Sequence, residues 1–198
     1  MIELSNRTIG VEAIGSPTQE RLRIAGIAVA GTLFVAICAH ISIPLLFSPV
    51  PLTMQPFAVL LLALILGPRV AFLTLSLYLA EGAAGFPVFT PTGVGGILQL
   101  FGPTGGYLLS YPFVAIAVSW LARTEKPGFP TRVRSAAIGS ALILLSGALW
   151  LALFTHVSLK MTLNAAILPF LPGDTLKVIA AAAIATGWLK IRERQSRA

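Results

Sequence analysis

The chain has 198 residues, 56% of them hydrophobic and 11% charged, with a mean hydropathy of +0.88. A soluble domain carries about 25% charged residues, so this composition excludes an ordinary water-soluble domain and makes lipid the natural solvent. The formal net charge of +7 comes from basic residues lying between apolar segments, a pattern of membrane orientation and not of nucleic-acid binding.

Residues 1–21 are polar, include Glu3, Glu12 and Glu20 and lack an apolar run, so they do not read as a secretory leader. The first apolar segment spans Leu22–Ala39 and holds the single cysteine, Cys38, which reads as a small buried side chain. Pro44, Pro49 and Pro51 exclude a regular helix in the next stretch. A second apolar segment, Thr53–Leu66, breaks at Gly67-Pro68-Arg69, and a third runs from Val70 to Ala80. Residues 82–106 are rich in glycine and proline. Their backbone must fold against protein or line a cavity, because bare peptide groups cannot face lipid. A fourth segment, Tyr107–Leu121, precedes a polar, basic connection over 123–134. The fifth helix is expected over Ser135–Phe154, a shorter stretch over Leu159–Leu168, and the last helix from Pro172 to Leu189.

The expected fold is all-α, a compact bundle of six transmembrane helices with irregular outer loops. It divides into a polar N-terminal segment (1–21), a membrane domain (22–190) and a basic tail (191–198). With six spans, twelve of the fourteen basic residues fall on one side, and only Lys160 and Lys177 on the other. The positive-inside rule then makes both termini cytoplasmic in a multi-pass protein.

Catalytic and metal-binding patterns are not apparent. His40 and His156 are isolated, and Gly102–Gly106 is followed by Tyr107 where a phosphate loop would need Lys and then Ser or Thr. No enzyme activity, cofactor or metal is therefore expected, and energy for any transport comes from a gradient or another polypeptide. The start of the last helix carries Asp174 and Lys177, three residues apart and so on one face. Asp174 could cap the helix, the two could pair with each other, or both could hold a ligand, since ionisable groups at membrane depth mark pathways and sites. Gln55, Gln99 and Asn164 are uncharged polar groups at segment ends, available to a ligand or to loop carbonyls; Glu81 reads as a solvated carboxylate. Ala28, Thr32 and Ala36 recur four apart, with Gly26 and Ala30 on an adjacent strip, which suits either internal packing or a partner helix.

Four stretches in order carry a resemblance: Ile41-Ser42-Ile43-Pro44 followed by Pro49-Val50-Pro51-Leu52-Thr53-Met54-Gln55; Leu66-Gly67-Pro68-Arg69; Gly102-Pro103-Thr104-Gly105-Gly106-Tyr107-Leu108; and Leu168-Pro169-Phe170-Leu171-Pro172-Gly173-Asp174-Thr175-Leu176-Lys177. Together they resemble the BioY family, the biotin-specific S components of energy-coupling factor (ECF) transporters, over residues 25–190. The resemblance implies a pocket near the outer face, a lid between the first two helices, a bacterial inner-membrane location, and assembly with a transmembrane coupling protein and an ATPase pair. It also implies that the small-residue strip Ala28, Thr32 and Ala36 docks to the coupling protein. Biotin carries a ureido group, an apolar bicycle and a carboxylate tail. Asp174 is suited to accept from ureido N–H groups and Lys177 to donate to its carbonyl or pair with the tail. Phe86, Phe89 and Tyr107 would supply walls, the Gly95 and Gly96 backbone would approach closely, and Gln55 and Gln99 would add polar contacts. The alternatives are an S component for another vitamin, such as thiamine or riboflavin, an integral membrane enzyme, or a structural subunit.

Overall fold

A computed structural model describes residues 16–123, 128–156 and 158–195. The described residues form eight helices: α1 (Pro17–His40), α2 (Gln55–Leu66), α3 (Pro68–Ala83), α4 (Gly96–Leu100), α5 (Gly105–Leu121), α6 (Phe129–Thr155), α7 (Leu159–Ala166) and α8 (Leu171–Gln195). Six of them build the bundle; α4 and α7 are short, with 5 and 8 residues. Between α1 and α2 the proline-rich stretch forms a small antiparallel hairpin, β1 (Ser42–Ile43) with β2 (Leu52–Thr53), paired Ser42 to Thr53 and Ile43 to Leu52. This pairing was not foreseen. It arises because three prolines forbid helix while the flanking residues still need backbone partners.

Helix starts follow local chemistry. Ser16 and Gln19 form a reciprocal capping box ahead of Pro17. Gly67, at φ 81°, turns the chain and Pro68 opens α3. Helix α6 begins at Phe129, six residues before the expected start, because Pro130 sits in its first turn and Arg132 is buried, donating from Nη1 to Thr186 Oγ1 of α8 at 3.3 Å. Helix α8 continues past Leu189 to Gln195, where Arg192 and Arg194 suit the negative end of the helix dipole.

Two poles are defined by contacts between helix ends. At one, Ser119 near the end of α5 donates to the Ala63 carbonyl near the end of α2, Arg123 lies over Gly67, and Arg132 meets Thr186. Arg21, Arg23, Arg69, Arg134, Lys190, Arg192 and Arg194 belong to the helix ends of this pole; Arg7, Lys126 and Arg197 lie outside the described residues. The opposite pole holds the hairpin, the glycine-rich loop, α4 and the α7–α8 junction.

The bundle is apolar inside and out. Leu60, Leu75, Tyr78, Ala115, Val118 and Ile143 are buried, while Leu33, Phe113, Leu145, Leu149, Leu153 and Leu176 face outward, as expected where lipid replaces water. Two helices, Pro17–His40 and Phe129–Thr155, are each long and apolar enough to cross a membrane, and the pair Lys160–Ala166 and Leu171–Gln195, bent by 47°, makes a third, broken candidate. Helices α2, α3 and α5, with 12, 16 and 17 residues, are about 18, 24 and 26 Å long. The six-helix bundle stands, but its helices are unequal in length.

Candidate ligand-binding site

A pocket opens beneath the hairpin, bounded by β2, α2, α4, α5, α6 and α8. Asp174 and Lys177 line it. Both are 4% exposed, and Lys177 Nζ donates to Asp174 Oδ1 at 2.7 Å. Asp174 does not cap α8, which starts three residues earlier at Leu171. Its amide is already helical, donating to the Phe170 carbonyl at 2.8 Å. The carboxylate is thus free to face the pocket, and its second oxygen accepts from Ser140 Oγ of α6 at 3.4 Å. A carboxylate has about four acceptor sites and an ammonium three donors. The pair therefore neutralises itself and still presents both acceptor and donor capacity to a ligand.

Tyr107, Tyr111 and Phe170 form the aromatic walls. Tyr107 lies against Gly147, where any side chain would meet its ring, and its hydroxyl donates to the Ala166 carbonyl at 2.8 Å. Gln99, from the short helix α4, is 2% exposed. Its Oε1 accepts from the Gly95 amide at 3.1 Å, while its buried Nε2 has no hydrogen-bond partner among the described residues. An unpaired buried donor is costly, and one in a pocket wall is suited to an acceptor on a ligand.

The other expected site residues fall in different places. Gln55 lines the pocket, but its side chain is engaged: Nε2 donates to Tyr78 Oη at 2.6 Å and Oε1 accepts from Thr53 Oγ1 at 3.2 Å. Phe89 is buried against Tyr78, edge to face at 5.4 Å, and over Gly82, so it stands behind the lining and not in it. Phe86 is exposed. Gly95 and Gly96, at φ 70° and 60°, lie off the lining and shape the turn that carries Gln99. Asn164 lies in a separate crevice beside α7. Glu81 is not simply solvated: it is half-buried and accepts from Thr32 Oγ1 at 3.2 Å. Ala28, Thr32 and Ala36 are all buried, with Thr32 turned to α3. The strip that faces outward on α1 is the adjacent one, with Gly26 and Ala30.

The sequence profile of the BioY family matches residues 14–194. The chain belongs to the BioY family. A probable biotin transporter BioY of Pyrococcus horikoshii is 38% identical over 156 residues, covering 77% of this chain and 90% of that protein. Biotin transporter BioY2 of Lactococcus lactis is 37% identical, covering 75% and 80%, and biotin transporter BioY of Thermotoga maritima is 36% identical, covering 78% and 88%. In fold, the chain matches the crystal structure of the S-component for biotin from an ECF-type ABC transporter with a TM-score of 0.81 at 24% identity, over 89% of this chain and 95% of that one.

Within this BioY chain, two aromatic walls of the pocket and one hydrogen-bond partner of Asp174 are among the residues that sequence reasoning missed. Tyr111 and Phe170 sit in apolar runs that give no sign of which way a ring points. Ser140 lies in the middle of α6, where a lone serine carries no motif; its only signal is a hydroxyl inside an apolar helix.

Proposed function

We propose that this chain is the biotin-capturing membrane subunit, the S component, of an ATP-driven vitamin importer. The observation that carries the reading is the buried Asp174–Lys177 pair lining an aromatic pocket in a chain whose relatives are biotin transporters. The pocket's groups match biotin's chemistry in kind. Asp174 accepts from ureido N–H groups, Lys177 and the free amide of Gln99 donate to ureido or carboxylate oxygens, and Tyr107, Tyr111 and Phe170 enclose the bicycle. Gln55, Phe89, Gly95 and Gly96 hold the loops that form the site.

The reading places residues 22–190 in the cell membrane, with segments 1–21 and 191–198 cytoplasmic and the pocket facing outward. It assigns ATP hydrolysis to a separate ATPase pair, reached through a coupling protein in the membrane. Contact with that protein through α1 would use the outward strip of Gly26 and Ala30, since Ala28, Thr32 and Ala36 are occupied within the bundle.

Purified protein should bind biotin at nanomolar to micromolar concentration and retain it through purification, as read by mass spectrometry. Absence of binding would overturn the reading, and displacement of biotin by thiamine or riboflavin at similar concentration would overturn its specificity. Co-purification from membranes of one coupling protein and two ATPase chains tests the assembly.

A further inference from the structure

The pocket encloses only about 30 Å³ of free space, whereas small-molecule sites hold about 300–1,000 Å³. A ligand of biotin's size therefore enters only when a wall moves. A second crevice of about 230 Å³ lies directly outside, between the hairpin and the glycine-rich loop. The two spaces share Pro51, Thr90, Gln99 and Thr104. The walls between them are the hairpin at Pro51 and the glycine-rich loop with α4 at Thr90, Gln99 and Thr104; that loop is tied to bundle helices by Tyr78 and Trp150, whose side chains donate to the Val88 and Gly102 carbonyls at 2.9 and 2.8 Å.

Hydrogen bonds fasten the hairpin at two points, while Val50 packs into the core between them. The hairpin base is continuous with α2: Met54 donates its amide to the Ile41 carbonyl at 3.1 Å, and Thr53 and Gln55 exchange hydrogen bonds before Gln55 reaches Tyr78. Tyr78 in turn donates to the Val88 carbonyl at 2.9 Å. Its tip is held by Ser48, whose Oγ donates to the Ala165 carbonyl at 2.7 Å and accepts from the Val50 amide at 3.2 Å. Val50 and Pro51, which follow, line the pocket; Ser48 does not.

The Ala165 carbonyl is available for a sequence reason. Its helical donor would be the amide of residue 169, which is proline and has none. The neighbouring Ala166 carbonyl is released because Phe170 turns its amide to Ile167 at 3.0 Å, and Tyr107 of the pocket wall takes it. Adjacent carbonyls at one helix break thus hold the hairpin tip and an aromatic wall of the pocket.

We infer that Ser48 is the latch of the hairpin, a positioning residue whose bond to the Ala165 carbonyl holds the pocket closed and sets how fast ligand exchanges. The inference rests on the biotin reading. Because the bond joins protein to protein, it stabilises the closed hairpin whether or not the pocket is filled. Its loss raises entry and exit rates together and leaves the equilibrium affinity nearly unchanged.

The test is stopped-flow biotin binding to the purified full chain, comparing wild type, Ser48→Ala and Ser48→Thr, with melting temperatures in parallel. Ser48→Ala should raise both kon and koff by about 2- to 10-fold, the range a single net hydrogen bond supplies, with Kd changed less than 2-fold. Ser48→Thr, which keeps the hydroxyl, should restore both rates towards wild type. Unchanged rates in Ser48→Ala would overturn the latch, as would a rise in koff alone. A melting-temperature loss with altered rates that the threonine variant does not rescue would also overturn it, assigning Ser48 a purely structural role. Wild-type protein that fails to bind biotin would instead overturn the functional reading, so the two failures are distinguishable.

Discussion

Replacing Asp174 with asparagine removes one charge from a pair held at 2.7 Å, both members 4% exposed. Two effects follow, and they separate. For binding, the lost group is a charged acceptor; hydrogen bonds to charged groups contribute about 1.5–3 kcal/mol, so biotin affinity should fall about 10- to 150-fold. For stability, Lys177 is left as a buried, uncompensated ammonium, a situation that costs about 3–5 kcal/mol when one partner of a buried pair is removed. The melting temperature should therefore also drop. The double variant Asp174→Asn with Lys177→Met removes the stranded charge; it should recover much of the stability while binding stays lost. Isothermal titration calorimetry in detergent gives the affinities, and a thermal melt gives the stabilities. Wild-type biotin affinity in Asp174→Asn would refute the assignment of this carboxylate to the site. Recovery of binding in the double variant would show that stability alone was at issue.

Gln99→Leu removes a buried donor that has no partner among the described residues; biotin affinity should fall about 5- to 150-fold, matching the penalty of about 1–3 kcal/mol for an unmet polar group. The melting temperature should fall only slightly, by the loss of the Gly95 hydrogen bond; lowered stability with unchanged affinity would place Gln99 outside the ligand site. Gly147→Ala pushes a methyl group into the ring of Tyr107, and such overpacking costs about 1–3 kcal/mol. Both melting temperature and biotin affinity should decline, whereas an unaffected titration would separate Tyr107 from the ligand. Ala30→Trp enlarges the outward strip of α1 without touching the pocket: biotin binding should persist while co-purification of the coupling protein is lost. Retained assembly would exclude this strip as the docking face.

Much of the bundle was legible because apolar runs and their breakers are local signals. The Gly67-Pro68 turn, the proline-rich connection and the start of α8 each fall within a few residues of the expected place. The Asp174–Lys177 pair was legible because three-residue spacing on a helix fixes a shared face. What the sequence did not disclose is rotation. Period arguments fail when a helix is apolar on every side, so the spacing left open whether Ala28, Thr32 and Ala36 pack internally or meet a partner; they turn inward, and Gly26 and Ala30 outward. For the same reason Tyr111 and Phe170 were missed as walls. Phe89 was misplaced because a glycine-rich loop leaves its direction open; Gly82 receives the ring and Tyr78 holds it. Within loops, a polar side chain such as Gln55 reads equally as a ligand contact or as a structural tie, and only its partners, Thr53 and Tyr78, decide.

The broken span before α8 links these observations. A proline at 169 interrupts the α7–α8 pair, which bends by 47°, and a break leaves backbone carbonyls that lipid cannot satisfy. Water could do so at the surface, but here side chains do: Ser48 from the hairpin and Tyr107 from α5. The same break lets α8 begin at Leu171, which sets Asp174 at the close of its first turn and Lys177 in the second. Had the helix run straight through, the Ala165 and Ala166 carbonyls would have been closed within it. The hairpin would then lack its tip contact and Tyr107 its anchor. The charged pair, the aromatic wall and the hairpin tip therefore depend on one local event in the sequence, Leu168-Pro169-Phe170.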